Sequence, residues 1–203
     1  MIYIKIVKPF FDFVFSLLLL IIVFPVMVVV AILVKLDSRG PILFSQERLG
    51  MNYRIFRVFK FRTMTHTNDR QQRQIFAGDP EVTRIGVYLR RLKLDELPQL
   101  FNILAGDMSF VGPRPSLPNL QERFNEDGHS RVKVKPGLTG LAAVKGSIFL
   151  SWPERWVYDR QYVENLSFIM DITILFKTVF VVLLGEKIFF KKSQQSEPTG
   201  THK

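Results

Sequence analysis

The chain has 203 residues, long enough for one globular domain with an appendage, and its 28 Lys+Arg against 18 Asp+Glu give a net charge of +10. That balance points to an anionic partner (nucleic acid, an anionic membrane surface or a phosphorylated substrate) without choosing among them. The absence of cysteine excludes disulfides, thiolate catalysis and zinc-thiolate sites, and three scattered histidines, His66, His129 and His202, make no metal-ligand spacing.

The N-terminal part is apolar. From Phe13 to Val34 the chain reads FVFSLLLLIIVFPVMVVVAILV, 22 residues without a charge, which as one straight helix would be about 33 Å long. The run is too long for the apolar stretch of a signal peptide and no small-residue cleavage site follows it, so it reads as a membrane segment. Two features argue against simple crossing. Pro25 sits near the middle, where it removes a helical hydrogen bond and favours a kink. Lys5 and Lys8 precede the run while Lys35 and Arg39 follow it, so both flanks favour the cytoplasmic side. Two arms of about 12 residues would each reach about 18 Å, a little over half the hydrocarbon core. A helical hairpin that dips in and returns fits these features, and on the residues alone a kinked spanning helix fits equally well.

Beyond the anchor the chain is mixed and polar. The stretch YRIFRVFKFRTM (Tyr53 to Met64) alternates basic and apolar residues and predicts a strand. Its Arg54, Arg57, Lys60 and Arg62 form either an anion-binding stripe or a solvated face. THTNDRQQRQ (Thr65 to Gln74) reads as a loop or an exposed helix start, and Val82 to Leu94 as a basic helix with Arg84, Arg90, Arg91 and Lys93. In LDELPQLFN (Leu94 to Asn102), Asp95 is spaced as the N-cap of a helix whose apolar face is Leu97, Leu100, Phe101 and Leu104, with Gly106 ending it. Asp95 and Glu96 then either stabilise a helix start or perform chemistry there, where free backbone N–H groups favour phosphate. An aspartate so placed suits a nucleophile and a neighbouring glutamate suits a divalent cation.

GDMSFVGPRP (Gly106 to Pro115) fixes Arg114 between two prolines, which suits either a rigid anion-binding arginine or a solvent-facing turn. KVKPGLTGLAAVKG (Lys133 to Gly146) combines glycines and lysines but matches neither the P-loop nor the dinucleotide pattern. SWPERWVYDRQYVEN (Ser151 to Asn165) predicts a helix whose Trp152, Trp156 and Tyr162 suit core packing. The apolar stretch Ser167 to Lys192, interrupted by Asp171 and Lys177, predicts a helix lying at a membrane surface, and Ser193 to Lys203 a disordered tail.

Taken together, KPFFDFVFSLLLL, FRVFKFRTM, LRRLKLDELPQLFNILAGDMSFVGPRP, VKPGLTG and YDRQYVENLSFIMDI resemble the monotopic polyprenol-phosphate phosphoglycosyl transferases, the bacterial sugar transferases, from about Lys8 to Lys177 and in the same order. The length resembles the minimal catalytic form. The resemblance implies an α/β, mainly α, fold: a re-entrant membrane helix over residues 1–36, broken at Pro25, a cytosolic catalytic domain with interfacial helices over 37–192, and a tail over 193–203. It implies that Asp95 attacks the β-phosphorus of a UDP-sugar, expelling UMP, and that undecaprenyl phosphate then takes the phosphosugar. It further implies that Glu96 binds Mg²⁺, that Lys60, Arg62, Arg90 and Arg114 hold phosphates, and that Asp159 supports the site. The implied setting is the cytoplasmic face of the bacterial inner membrane, in contact with the lipid bilayer, without nucleic acid and with a homo-oligomer left open.

The chain departs from the family pattern in three places. Phe24 stands where many relatives have Ser before the proline, and Lys93 where Ser or Thr is common. Ala143, Lys145 and Ser147 replace the Gln, Asn and Arg of many relatives, which leaves the sugar open. Two other classes compete: a basic membrane-anchored binding protein, which leaves DELPQLFN and GPRP without a role, and a metal-dependent phosphohydrolase, which would need no lipid acceptor.

Overall fold

The structure, a computed structural model, describes residues 2–65 and 81–185. The Thr65–Gln74 reading lies outside these residues from His66 onward, as does the tail. The described chain is mostly helical with a few short strands. A π-helical turn (Tyr3–Val7) leads into α1 (Lys8–Asp37), followed by β1 (Leu43–Leu49), β2 (Ile55–Phe61), α2 (Arg84–Arg91), α3 (Gln99–Leu104) and β3 (Ser109–Val111). The chain continues through α4 (Glu126–Ser130), β4 (Gly137–Thr139), α5 (Leu141–Lys145), α6 (Trp152–Glu164) and α7 (Phe168–Leu184). β1 and β2 form an antiparallel hairpin with Leu43 opposite Phe61, and β3 pairs in parallel with β4.

α1 runs through Pro25 as one continuous helical element. A proline removes a single N–H from the helical ladder, and the apolar residues on both sides carry the helix across the gap. α1 is long and apolar enough to cross a membrane. One stripe of it is buried, Asp12, Ser16, Leu20, Met27, Val30 and Val34, whose spacings of three, four and seven residues define one helical face. The opposite face exposes Leu18, Ile22 and Val29.

The buried stripe packs on Phe56, Val58 and Phe61 of β2, Leu89 of α2 and Leu100 and Ile103 of α3. Both ends of α1 are tied to this same body. At the start, Tyr3 and Lys8 reach Asp171 of α7, each at 2.6 Å, and Asp12 accepts from the Phe110 N–H of β3 at 3.1 Å. The Lys8 charge also acts on Asp12. At the far end, Asp37 accepts from the Ile85 N–H in the first turn of α2 at 3.0 Å.

Two smaller clusters complete the interior. Val111, Val144, Tyr162 and Ile174 join β3, α5, α6 and α7, while Leu49, Phe124, Val132 and Trp156 join β1 to the α4–α6 side. Trp156 and Tyr162 thus pack in the core, as their spacing suggested. α6 starts with a capping box in which Ser151 and Glu154 bond reciprocally. Where β3 meets β4, a Cβ on Gly137 would lie 2.1 Å from the Gly112 nitrogen. Glycine is therefore required for the two strands, and the turn beyond them, to approach.

Candidate active site

The acidic pair is presented by an abrupt change of direction. α2 ends at Leu92, and Lys93 takes the left-handed conformation (φ 57°), which throws the chain into a 3-10 turn over Leu94–Glu96 ahead of α3. A lysine there carries a conformational cost that a glycine would avoid. Asp95 is not a helix cap, contrary to the spacing argument. The turn satisfies its own amides by short backbone bonds, Glu96 N–H to Lys93 O and Leu97 N–H to Leu94 O, both 3.3 Å, and Leu100 N–H to Leu97 O, 3.0 Å. Those amides are not available to a carboxylate cap or to a phosphate.

The two carboxylates live in opposite environments. Glu96 Oε1 accepts from Lys60 Nζ at 2.7 Å and from Arg114 Nη2 at 2.6 Å. Burial works against its charge, but the two cations and their hydrogen bonds overcome it and hold the glutamate well below the usual carboxylate range. Asp95 is buried, and its Oδ1 has no hydrogen-bond partner. Burial and the neighbouring Glu96 charge push its pKa up, against the pull of Lys60, Lys93 and Arg90. A buried carboxylate with one unsatisfied oxygen has the chemistry that a nucleophile requires.

Of the basic residues singled out by the sequence, Lys60 and Arg114 converge on Glu96. Arg90 stands at the end of α2 with its Nε on Thr63 Oγ1 at 2.8 Å, and its charge acts on Asp95. Arg62 is placed differently from the phosphate role expected of it. Its buried guanidinium donates to the carbonyls of Ser38 (2.6 Å) and Arg39 just past α1, where it interacts favourably with the negative end of the helix. Pro25 lies within α1, and no observation connects it to the carboxylates. Asp159 is buried in α6 and pairs with Arg131 at 3.1 Å, and Arg131 in turn donates to the Arg114 carbonyl at 2.6 Å. Burial raises Asp159 to about 6, against the pull of Arg131 and Arg155.

Arg48 was missed in the sequence. It sits in β1, where its Nη1 donates to the Pro115 carbonyl at 3.2 Å and its Nη2 to Gln46 Oε1 at 2.5 Å. Burial, with the nearby Arg114 charge, lowers it to about 10, so a further cation faces the same anionic centre. Its alternating strand offers no local signal, because only the pairing of Leu49 with Ser116 brings it beside the proline-flanked turn. The departures Ala143, Lys145 and Ser147 lie in α5 and the 3-10 turn after it, where Ser147 is left-handed (φ 47°).

Among the described residues no group of three or more His, Asp or Glu side chains is arranged to hold a metal. That pattern does not exclude a hard cation such as Mg²⁺, which typically takes one or two carboxylates and completes its shell with water and substrate phosphates. Asp95 and Glu96, one with an orphaned buried oxygen, have the donor chemistry for such a site.

The family model described as bacterial sugar transferase matches residues 3–185. The chain is 45% identical over 185 residues to an undecaprenyl-phosphate glucose phosphotransferase of Komagataeibacter xylinus, covering 85% of this chain and 35% of that protein. It is 37% identical over 194 residues to the exopolysaccharide production protein ExoY of Sinorhizobium fredii, covering 88% and 86% respectively. It is 40% identical over 185 residues to a UDP-glucose:undecaprenyl-phosphate glucose-1-phosphate transferase of Escherichia coli, covering 87% and 40%. The chain thus spans well under half the length of the first and third of these relatives and most of the second.

Proposed function

The chain belongs to the bacterial sugar transferase family, and from that premise we propose that it transfers a phosphosugar from a UDP-sugar to undecaprenyl phosphate through a covalent intermediate on Asp95. The observation that carries this reading is the pairing of an unsatisfied, buried Asp95 oxygen with a Glu96 clamped between Lys60 and Arg114. A buried carboxylate oxygen left without a partner calls for an explanation beyond stability, and a nucleophile beside a clamped glutamate supplies one.

In the first step an Asp95 carboxylate oxygen attacks the β-phosphorus of the UDP-sugar. The bond from that phosphorus to the bridging oxygen breaks, and the electron pair leaves on UMP. In the second step an oxygen of undecaprenyl phosphate attacks the same phosphorus, and the bond to Asp95 breaks. The products are undecaprenyl-diphosphate-sugar and the regenerated carboxylate, with no net proton change. Lys60 and Arg114, with Arg48 and Arg90 nearby, supply the positive field that lets an anionic nucleophile approach an anionic diphosphate. Mg²⁺ held by Glu96 would supply further charge neutralisation at the diphosphate. Asp95, withdrawn from solvent, is also shielded from competing water.

The same reading makes the protein monotopic on the cytoplasmic face of the bacterial inner membrane, with α1 entering the bilayer from one side. Support comes from the attachment of both ends of α1 to one body, through Asp171 and Phe110 at the start and Ile85 and Arg62 at the end. Flanking lysines and arginines oppose translocation of either end.

The chemistry is tested by UMP release from a panel of UDP-sugars with undecaprenyl phosphate and Mg²⁺, and by intact-mass analysis with donor but no lipid. The expected results are lipid-dependent turnover and a phosphosugar adduct on Asp95. Multiple turnover without lipid would instead indicate a phosphohydrolase, and an active enzyme with no adduct would indicate direct transfer. The topology is tested with single cysteines near Tyr3 and Ser196, since the chain has none of its own. Labelling of the Tyr3 position by an impermeant reagent from outside the inner membrane would refute it, and Pro25→Leu should shift part of the population toward such a spanning form.

A further inference from the structure

We propose that Arg131 and Asp159 are positioning residues that aim the Arg114 guanidinium at the donor diphosphate by locking the turn from which it projects, an inference that rests on the transferase reading. Four consecutive carbonyls of that turn each have a donor. Pro113 O accepts from the Gly137 N–H at 2.9 Å, Arg114 O from Arg131 Nη2 at 2.6 Å, Pro115 O from Arg48 Nη1 at 3.2 Å, and Ser116 O from the Leu49 N–H at 2.8 Å. The outer two donors are backbone amides, from β4 and from the end of β1. The inner two are guanidiniums, because the turn between the strands has no ladder to join. Pro113 and Pro115 fix φ on either side of Arg114 and contribute no N–H of their own.

Arg131 is the anchor of this clamp. Its side chain is 5% exposed, Asp159 beside it is 3% exposed, and the Phe124 ring lies 5.7 Å from the guanidinium carbon. Burying such a pair costs much of what its attraction returns, and apolar residues of like volume would fill the space at no loss of stability. What apolar residues would lack is a donor for the Arg114 carbonyl. Arg114 itself spans the distance from that carbonyl to Glu96 Oε1 and the Leu138 carbonyl. A shift of its Cα therefore moves the guanidinium off the diphosphate, and misplacement of about 1 Å lowers rates by up to about a hundredfold.

The experiment replaces both members together, Arg131→Met with Asp159→Leu, so that no unpaired charge is left buried. Two quantities are read: the factor by which Arg114→Ala lowers UMP release in native and double-variant backgrounds, and hydrogen exchange at the Leu49 and Gly137 amides that bond the turn. The double variant is expected to release UMP at least ~10-fold more slowly. In that background Arg114→Ala should cost only a small part of what it costs natively, and the two amides should exchange faster while the α6 amides stay protected. Arg131→Lys, which restores a donor and the charge opposite Asp159 when made alone, should recover part of the rate. An Arg114→Ala factor equal in both backgrounds overturns the proposal, since the pair would then be packing only. Unchanged exchange at both amides overturns it too. Should the native protein release no UMP from any donor, the transferase reading fails, and the clamp is judged by the exchange result alone. Should the double variant fail to fold, the same comparison is made with Asp159→Asn singly, where additive effects with Arg114→Ala overturn the proposal.

Discussion

Two buried aspartates divide the molecule into a part that holds and a part that acts. Asp171, where α7 meets the start of α1, accepts from Tyr3 and Lys8 at 2.6 Å each and from Tyr162 at 2.7 Å. Asp95 is buried to a similar degree, yet one of its oxygens has no partner. A satisfied buried carboxylate fixes geometry, whereas an unsatisfied one is retained at a cost that folding alone does not explain. Substitutions at the two positions should therefore fail in opposite ways.

The largest effect is expected at Asp95. Asp95→Asn should abolish UMP release, a loss of at least ~1,000-fold, because an amide oxygen is a poor nucleophile. Its melting temperature should be unchanged or higher, since the variant removes a buried charge that burial and Glu96 disfavour. Turnover close to native in a clean preparation would refute the covalent mechanism. Glu96→Gln should lose about a hundredfold, with Lys60 and Arg114 deprived of their shared anion and any Mg²⁺ bound more weakly. A rise in the Mg²⁺ concentration needed for half-maximal rate separates that loss from simple misfolding.

Asp171→Asn should reverse the pattern. It leaves Lys8 in a largely buried position without its counter-charge, which costs about 3 kcal/mol of stability, read as a lower denaturation midpoint in detergent micelles. Wherever the variant remains folded, its UMP release should stay within a few-fold of native. A variant as stable as native would refute the holding role assigned to this cluster.

The sequence already contained the β2 strand, the α2, α6 and α7 helices and the residues Lys60, Asp95, Glu96 and Arg114, because each is marked by local alternation, periodicity or a motif. What it lacked were decisions made by distant chain. Arg62 belongs to the same alternating stretch as Lys60, yet tertiary packing turns it to the carbonyls after α1. Asp95 looked like a cap until consecutive 3-10 bonds consumed the amides it would have bonded. Which face of α1 is buried is decided the same way: its stripe packs against β2, α2 and α3, on both sides of Pro25. Arg48 and Arg131 gain their roles only from contacts with a turn 67 and 17 residues away, a separation no local pattern encodes.

The smallest effect concerns pH, and it sets stability against activity at one group. Asp159 is raised by burial from its ordinary 3.8 to about 6, with Arg131 and Arg155 as the charges acting on it. Between those values the folded state binds a proton that the unfolded state has released. This group's contribution to stability is therefore full below about 3.8 and is lost as pH rises through about 6. The hold on Arg131, and through it on Arg114, has the opposite sign, since it needs the ionised carboxylate. Asp159→Asn imitates the protonated acid at every pH. Its rate relative to native should be close to one at pH 5 and should fall severalfold by pH 7.5, while its stability relative to native rises over the same range. Comparing the variant with native protein at each pH cancels the titration of Asp95, which also lowers activity in acid but is present in both. A rate ratio that does not change between the two pH values would mean that the Asp159 charge does not reach the turn that carries Arg114.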